Sequence, residues 1–188
     1  MTTLWKRLGG ETVYDAGIFR VRRDHYEFRG APVHPFHVIE CAAWINVVPV
    51  TEGGEIVLVR QYRHGIRGMS LEVPGGVVDP SDADPEAAAA RELLEETGHA
   101  GPEMTLLAAV TSNPAILENR TYCYLARNVR RVAAPRPDED EDLTVELAAP
   151  ESIPSLITSG EIHHSLSVCA LALSLVRPPV KDGPVITT

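Results

Sequence analysis

Leu71-Glu72-Val73-Pro74-Gly75-Gly76 and, after a short acidic loop, Asp84-Pro85-Glu86-Ala87-Ala88-Ala89-Ala90-Arg91-Glu92-Leu93-Leu94-Glu95-Glu96-Thr97-Gly98 form the stretch on which the fold turns. Asp84 suits an N-cap, Pro85 the first helical position and Gly98 a terminator, and the alanines between favour helix, so a helix is predicted over residues 85–97. Upstream, residues 70–73 read as a strand running into paired glycines, where a bare backbone can approach a ligand and offer a carbonyl oxygen. On the helix, Glu92, Glu95 and Glu96 stand at i, i+3 and i+4, so their carboxylates project from one face. Like charges at this spacing repel by ~0.2–0.5 kcal/mol per pair, and a cation would compensate. Hard carboxylate oxygens suit Mg²⁺, with Mn²⁺ as a substitute, rather than zinc. Taken alone, Arg91-Glu92-x-x-Glu95-Glu96 equally fits a solvated acidic face with Arg91 as an ordinary ion-pair partner.

Working outward, alternating apolar residues at 17–22 and 33–39, separated by a polar segment around Arg29-Gly30, predict two antiparallel strands. Residues 42–50 and 55–62 are rich in Val and Ile and joined by a Glu-Gly-Gly turn, which predicts a hairpin inside a mixed sheet. Further strands are expected at 104–110, 121–126 and 143–147, and helices at 150–158 and 163–175. The tail from Arg177, with its prolines, reads as extended or disordered.

A chain of 188 residues, 44% hydrophobic, suits one core and one main domain. The first ten residues lack a signal-like apolar region, and no apolar run reaches the ~18 residues of a membrane span, so no membrane partner is expected. Cys41, Cys123 and Cys169 lack CxxC spacing, which argues against a disulfide framework or structural zinc and for a reducing cytoplasm. The formal charge of −9 disfavours nucleic acid as a partner. An anionic substrate would then need a divalent cation to screen the protein's own carboxylates.

The segment from Gly76 to Gly98 resembles the Nudix box, whose pattern is Gly-x5-Glu-x7-Arg-Glu-U-x-Glu-Glu-x-Gly-U with U aliphatic. Arg91, Glu92, Glu95, Glu96 and Gly98 match. The pattern's first glutamate falls at Ala83, Gly76 lies one residue too far upstream, and His99 replaces the last aliphatic residue; a one-residue insertion in the loop 79–84 accounts for the spacing and makes Asp82 the candidate replacement carboxylate. The resemblance implies an α/β fold, a Nudix-type α/β/α sandwich around a mixed β-sheet with an N-terminal antiparallel β extension. It also implies a metal site built from Glu92, Glu95, Glu96 and the Gly75 carbonyl, supported by Glu72, Gly76 and Arg91.

The second half of the chain resembles the ADP-ribose pyrophosphatase and nucleoside diphosphate sugar hydrolase group, in which a loop of Asp-Glu-x-Glu-Asp type carries a water-activating glutamate. The matching run is Asp138-Glu139-Asp140-Glu141-Asp142, so Glu139 and Glu141 are candidate catalytic residues, with Glu118 of Asn113–Arg120 a third. A solvated acidic loop is the plain alternative. Arg60-Gln61-Tyr62-Arg63 resembles the segment that places an arginine near the diphosphate, and Arg60, Arg63 and Arg120 are the candidate substrate-binding cations. Tyr26, Phe28, Phe36 and Trp44 offer faces for stacking a base, though core or dimer packing accounts for any one of them. His163 and His164 read as capping or surface residues.

The division implied is an N-terminal β extension over residues 1–40 that forms a homodimer, a Nudix domain over 41–176 and a tail over 177–188. The activity implied is Mg²⁺-dependent hydrolysis of the diphosphate bond of ADP-ribose or a nucleoside diphosphate sugar, giving a nucleoside monophosphate and a sugar phosphate. Two rivals stand beside it: a non-catalytic nucleotide-binding sensor, and a hydrolase of another diphosphate derivative or of nucleoside triphosphates.

Overall fold

The computed structural model describes residues 4–136 and 142–176, which fall into two compact units. The first, residues up to Ala43 together with Thr111–Arg120, is built on a four-stranded antiparallel sheet: β1 (Trp5–Asp15), β2 (Phe19–Phe28), β3 (Ala31–Pro32) and β4 (Phe36–Cys41). Strand β2 is central, pairing with β1 from Trp5↔Phe28 to Asp15↔Arg20 and with β4 from Phe19↔Cys41 to Asp24↔Phe36. The sequence predicted strands only at 17–22 and 33–39. β1 was missed because nearly all its residues are exposed, leaving no buried face to write a pattern into the sequence. β2 runs on through Arg22, Arg23 and Asp24, charges that interrupt the apolar alternation yet fit the sheet because Arg22 pairs with Asp24, and Arg23 with Glu11 of β1. Asp24 is fully buried, and hydrogen bonds from Arg22 outweigh its burial, with Arg7 adding to them, to hold its carboxyl down at about 2.

The second unit, Trp44–Val110 and the chain from Thr121, contains an eight-stranded mixed sheet. Its strands are β5 (Trp44–Thr51), β6 (Ile56–Arg63), β7 (Gly68–Glu72), β8 (Gly75–Val77), β9 (His99–Ala100), β10 (Glu103–Thr111), β11 (Arg120–Arg131) and β12 (Leu143–Ala148). Its helices are α1 (Pro85–Thr97), α2 (Ile153–Thr158), which follows a 3-10 turn at Pro150–Ser152, and α3 (Ser165–Val176). β5 and β11 pair in parallel, while β6 pairs antiparallel with β5, β7 and β12.

The central strands are buried on both faces, so successive side chains serve different layers. Ile45 and Val47 of β5, Val57 of β6, and Tyr124 and Ala126 of β11 pack with Ala88, Ala89 and Leu93 of α1. Val48, Leu58, Cys123 and Leu125 pack instead with Ile153 of α2 and Ala170 and Leu171 of α3. This is the expected α/β/α sandwich around a mixed sheet. Several element boundaries differ from expectation. β11 continues past Ala126 to Arg131, where it pairs with β9. The helix expected over 150–158 breaks into the 3-10 turn and α2, and α3 begins at Ser165 because His164 lies outside it, its carbonyl accepting from the Val168 amide at 3.0 Å. The tail 177–188 and the carboxylates of Glu139 and Glu141 lie outside the described residues.

Helix α1 forms over the predicted residues because both caps are made. The Asp84 side chain accepts from the Ala87 amide at 2.8 Å, and Gly98 adopts the left-handed conformation with φ 70°, its amide donating to Leu94 O. A Cβ at Gly98 would also overlap the Ala133 carbonyl oxygen. Urea denaturation is expected to show Asp84→Ala lowering stability by ~1 kcal/mol and Gly98→Ala by more, since it adds that overlap to a left-handed strain of ~1–2 kcal/mol. A Gly98→Ala protein as stable as the wild type would contradict this cap.

Candidate active site

α1 and β5 both crowd β8 at its two glycines. A Cβ on Gly76 would run into the Glu92 carboxylate, and one on Gly75 into the Ile45 carbonyl oxygen. In return the Gly75 amide donates to Glu96 Oε2 at 3.0 Å, and Glu96 is 2% exposed. Two of the three helix carboxylates therefore gather on the bare backbone of β8. Glu95 is turned further outward and is half exposed.

Arg91 ties this group together. Its Nη1 donates to Glu92 Oε1 and Glu95 Oε2, each at 2.9 Å, and its Nη2 to the Val77 carbonyl at 3.1 Å. Its Nε and Nη2 also grip both oxygens of Asp82 at 3.0 Å. The Asp82 side chain is nearly buried, and the Arg91 hydrogen bonds hold its carboxyl below the ordinary range. Asp82 is thus anchored on Arg91 from the loop, while Ala83 beside it is exposed. The loop is shaped for this by its own bonds: Asp79 N donates to Asp82 Oδ2 at 2.8 Å, and Ser81 N and Oγ donate to Asp79 Oδ1.

A second network flanks the glycines. Glu72, 1% exposed, accepts from Arg63 Nε at 3.0 Å and Nη2 at 2.8 Å, and its Oε2 lies 3.0 Å from His164 Nδ1. Burial alone would raise the Glu72 carboxyl, but the bonds from His164 and Arg63 prevail and hold it well below its ordinary range. Arg63, Glu72, His164, Gly75 and Gly76 line one cavity of about 650 Å³, together with Trp44, Asn46 and Ser70.

Among the described residues no three carboxylate, imidazole or thiol side chains stand in a ready-made metal cluster. The fit to a cation rests on donor chemistry: Glu92, Glu95, Glu96 and the β8 backbone offer only oxygen, which suits a hard divalent ion.

A family model for the NUDIX domain matches residues 42–166. The chain belongs to the Nudix family. It is 27% identical over 168 residues to an ADP-ribose pyrophosphatase of Mycobacterium tuberculosis, covering 89% of this chain and 81% of that protein. An ADP-ribose pyrophosphatase of Bacillus subtilis is 24% identical over 167 residues, covering 88% and 90%. Among solved structures, an ADP compounds hydrolase matches with a TM-score of 0.80 at 23% identity, over 92% of this chain and 93% of that one, a likeness of fold. The protein is a Nudix hydrolase, of a class that generally uses divalent metal ions.

Within this Nudix domain the residues singled out from the sequence are distributed unevenly. Gly75, Gly76, Arg91, Glu92, Glu95 and Glu96 come together at α1 and β8, and Arg63 with Glu72 stands beside them at the cavity. Arg60 does not join them. It donates to Glu146 at 2.5 Å and pairs with Glu161 at 2.6 Å in a separate cavity. Strand alternation is the reason, because residues three apart on β6 face opposite sides of the sheet. Glu118 belongs to the first unit, where it pairs with Arg22 at 2.7 Å and its amide donates to Ile39 O; Arg120 opens β11 next to it. Tyr26, Phe28 and Phe36 pack with Trp5 in an aromatic group on the first unit's sheet, whereas Trp44 lines the cavity.

His164 was read as a capping or surface residue. It does stand at the start of α3, 3.2 Å from Ser167 Oγ, but its ring also reaches Glu72. No local signal could have marked it, since the two are distant in the chain and meet only through tertiary packing.

Because the Glu72 carboxyl is depressed in the folded state, it adds stability that is present at neutral pH and is lost as the pH falls below its ordinary value of about 4.5. Glu72→Gln is expected to lower the urea midpoint at neutral pH and to flatten its decline on acidification. An acid limb as steep as that of the wild type would remove this assignment. Asp82→Ala, which frees Arg91 from its two-point anchor, is expected to reduce metal-dependent activity by roughly 10–100-fold, with the loss read in steady-state kinetics; unchanged activity would make Asp82 a loop residue only.

Proposed function

We propose that this Nudix hydrolase cleaves the diphosphate linkage of ADP-ribose or another nucleoside diphosphate sugar, releasing a nucleoside monophosphate and a sugar phosphate, with Mg²⁺ as its cation and Mn²⁺ able to substitute. The observation that carries this reading is the gathering of Glu92 and Glu96 on the Gly75-Gly76 backbone at the edge of a cavity of about 650 Å³. The printed names of the Mycobacterium tuberculosis and Bacillus subtilis relatives point to the same substrate class.

Glu92, Glu95 and Glu96, with the Gly75 carbonyl, would hold the cation. When bound, it supplies neutralisation of the charge on the phosphoryl oxygens. Arg91 orients the glutamates, and Arg63, fixed by Glu72, faces the cavity where an anionic diphosphate would lie. Guanidinium donors suit phosphate oxygens by shape as well as charge. Glu139 and Glu141, outside the described residues, are the proposed water-activating carboxylates, with Glu118 the third candidate.

The domain reading carries over as part of this proposal: an N-terminal extension over 1–40 that dimerises, and a Nudix domain over 41–176. β1 supports it, since it is an edge strand with Trp5, Leu8, Val13 and Tyr14 exposed, an arrangement that natural proteins usually cover. A cytoplasmic location accords with three free cysteines, of which Cys123 is buried with its thiol pushed up to about 12.

A panel of ADP-ribose, GDP-mannose, UDP-glucose and nucleoside triphosphates, assayed with Mg²⁺ and Mn²⁺, is expected to show turnover of a diphosphate sugar. Glu92→Gln and Glu96→Gln should each cost more than the roughly 10–100-fold lost with outer partners of a metal. Turnover confined to triphosphates would overturn the substrate assignment, and full activity of Glu92→Gln the metal assignment. Light scattering is expected to give twice the chain mass, and a monomer would remove the dimer.

A further inference from the structure

Two polar groups in the cavity beside Gly75 and Gly76 have nothing to bond. Ser70 is 1% exposed and Asn46 6%, both line the cavity, and among the described residues the Ser70 hydroxyl and the Asn46 side-chain nitrogen lack hydrogen-bond partners. Buried polar groups are nearly always satisfied, so an orphaned pair at a cavity wall points to a ligand that satisfies them. Strand geometry explains their placement: Ser70 lies two residues before Glu72 on β7 and shares its face, and Asn46 of β5 pairs with Gly75 of β8.

His164 completes the wall. Its Nδ1 lies 3.0 Å from Glu72 Oε2 and 3.2 Å from Ser167 Oγ. Beside a carboxylate, Nδ1 carries the ring proton, which leaves Nε2 as the nitrogen available to a ligand. Among the described residues Glu72 is the single carboxylate of this lining, and Arg63 grips it with two hydrogen bonds. Trp44, Ile66 and Leu166 add apolar surface between the polar groups.

We propose that Asn46, Ser70 and His164 form a subsite for the sugar-phosphate half of the substrate, Asn46 and Ser70 donating to its hydroxyl and phosphoryl oxygens and His164 Nε2 accepting from a sugar hydroxyl, with Glu72 setting the orientation of the His164 ring. The inference rests on the diphosphate-sugar reading above. A sugar phosphate offers hydroxyl donors as well as many acceptors around an apolar-faced ring and so matches neutral polar groups spaced among Trp44, Ile66 and Leu166. A purine offers fewer acceptors at its edge, and a bare phosphate would leave most of this space unfilled.

Calorimetric titration of the full-length chain with ribose 5-phosphate, AMP and inorganic phosphate tests this without any turnover. Ser70→Ala and His164→Ala are each expected to weaken ribose 5-phosphate by about fivefold or more, the loss of one hydrogen bond, while AMP stays within about twofold. Ser70→Ala removes the orphaned group itself, and in His164→Ala the Glu72 carboxylate keeps both Arg63 hydrogen bonds; the urea midpoint of each variant shows that it is folded under the titration conditions. Unchanged ribose 5-phosphate affinity in both variants would overturn the subsite. So would an equal loss for AMP, absence of ribose 5-phosphate binding to the wild type, or inorganic phosphate binding as tightly as the sugar phosphate. If the substrate panel fails while these titrations behave as expected, the diphosphate-sugar reading falls and the subsite stands.

Discussion

Glu96 carries its carboxylate into the protein interior, and the amide of Gly75 meets it there at 3.0 Å. A buried carboxylate without such a partner costs several kcal/mol, so α1 cannot move off β8 without stranding that charge. The same approach brings the Glu92 carboxylate against Gly76, where a larger residue would push that carboxylate aside. Helix position, the paired glycines and the gathering of two carboxylates are therefore one constraint. The caps at Asp84 and Gly98 serve it by fixing where the helix begins and ends, and so which residues face β8.

An acidic chain that collects carboxylates at one place must hold them against repulsion, and single arginines do so here. Arg91 binds Asp82, Glu92 and Glu95; in the first unit Arg22 binds Asp24, Glu40 and Glu118. Exposed pairs of this kind contribute little to stability, about 0–1 kcal/mol. The buried partners Asp24 and Glu72 are different, because removing the cation from a buried carboxylate leaves an uncompensated charge. Position, more than stability, is what these arginines provide. Arg91 keeps the loop of Asp82 in place and points two glutamates, while Arg63 and His164 clamp Glu72 and thereby define one wall of the cavity.

Strand alternation then separates functions that look alike in the sequence. Arg60 and Arg63 sit in one short motif on β6, yet one is bound by Glu146 and Glu161 in one cavity and the other by Glu72 in another. The same alternation divides Val57 from Leu58 and Cys123 from Tyr124 between the two core layers. A polar residue on such a strand acquires its role from the face it happens to occupy.

The sequence by itself determined whatever depends on local geometry. Capping residues and alanines placed α1, the i, i+3, i+4 spacing put three glutamates on one of its faces, and segments rich in Val and Ile marked β5 and β6 as a hairpin inside a mixed sheet. β1 escaped notice because an exposed strand has no buried face to impose a pattern, and β2 read short because its charges are satisfied by partners elsewhere in the sheet. Only the tertiary structure decided that Asp82 anchors Arg91, that Arg63 rather than Arg60 borders the cavity, and that His164, Ser70 and Asn46 share its wall with Glu72. These are contacts between segments distant in the chain. Hydrogen bonds and burial across packed layers create them, and no spacing along the chain encodes them.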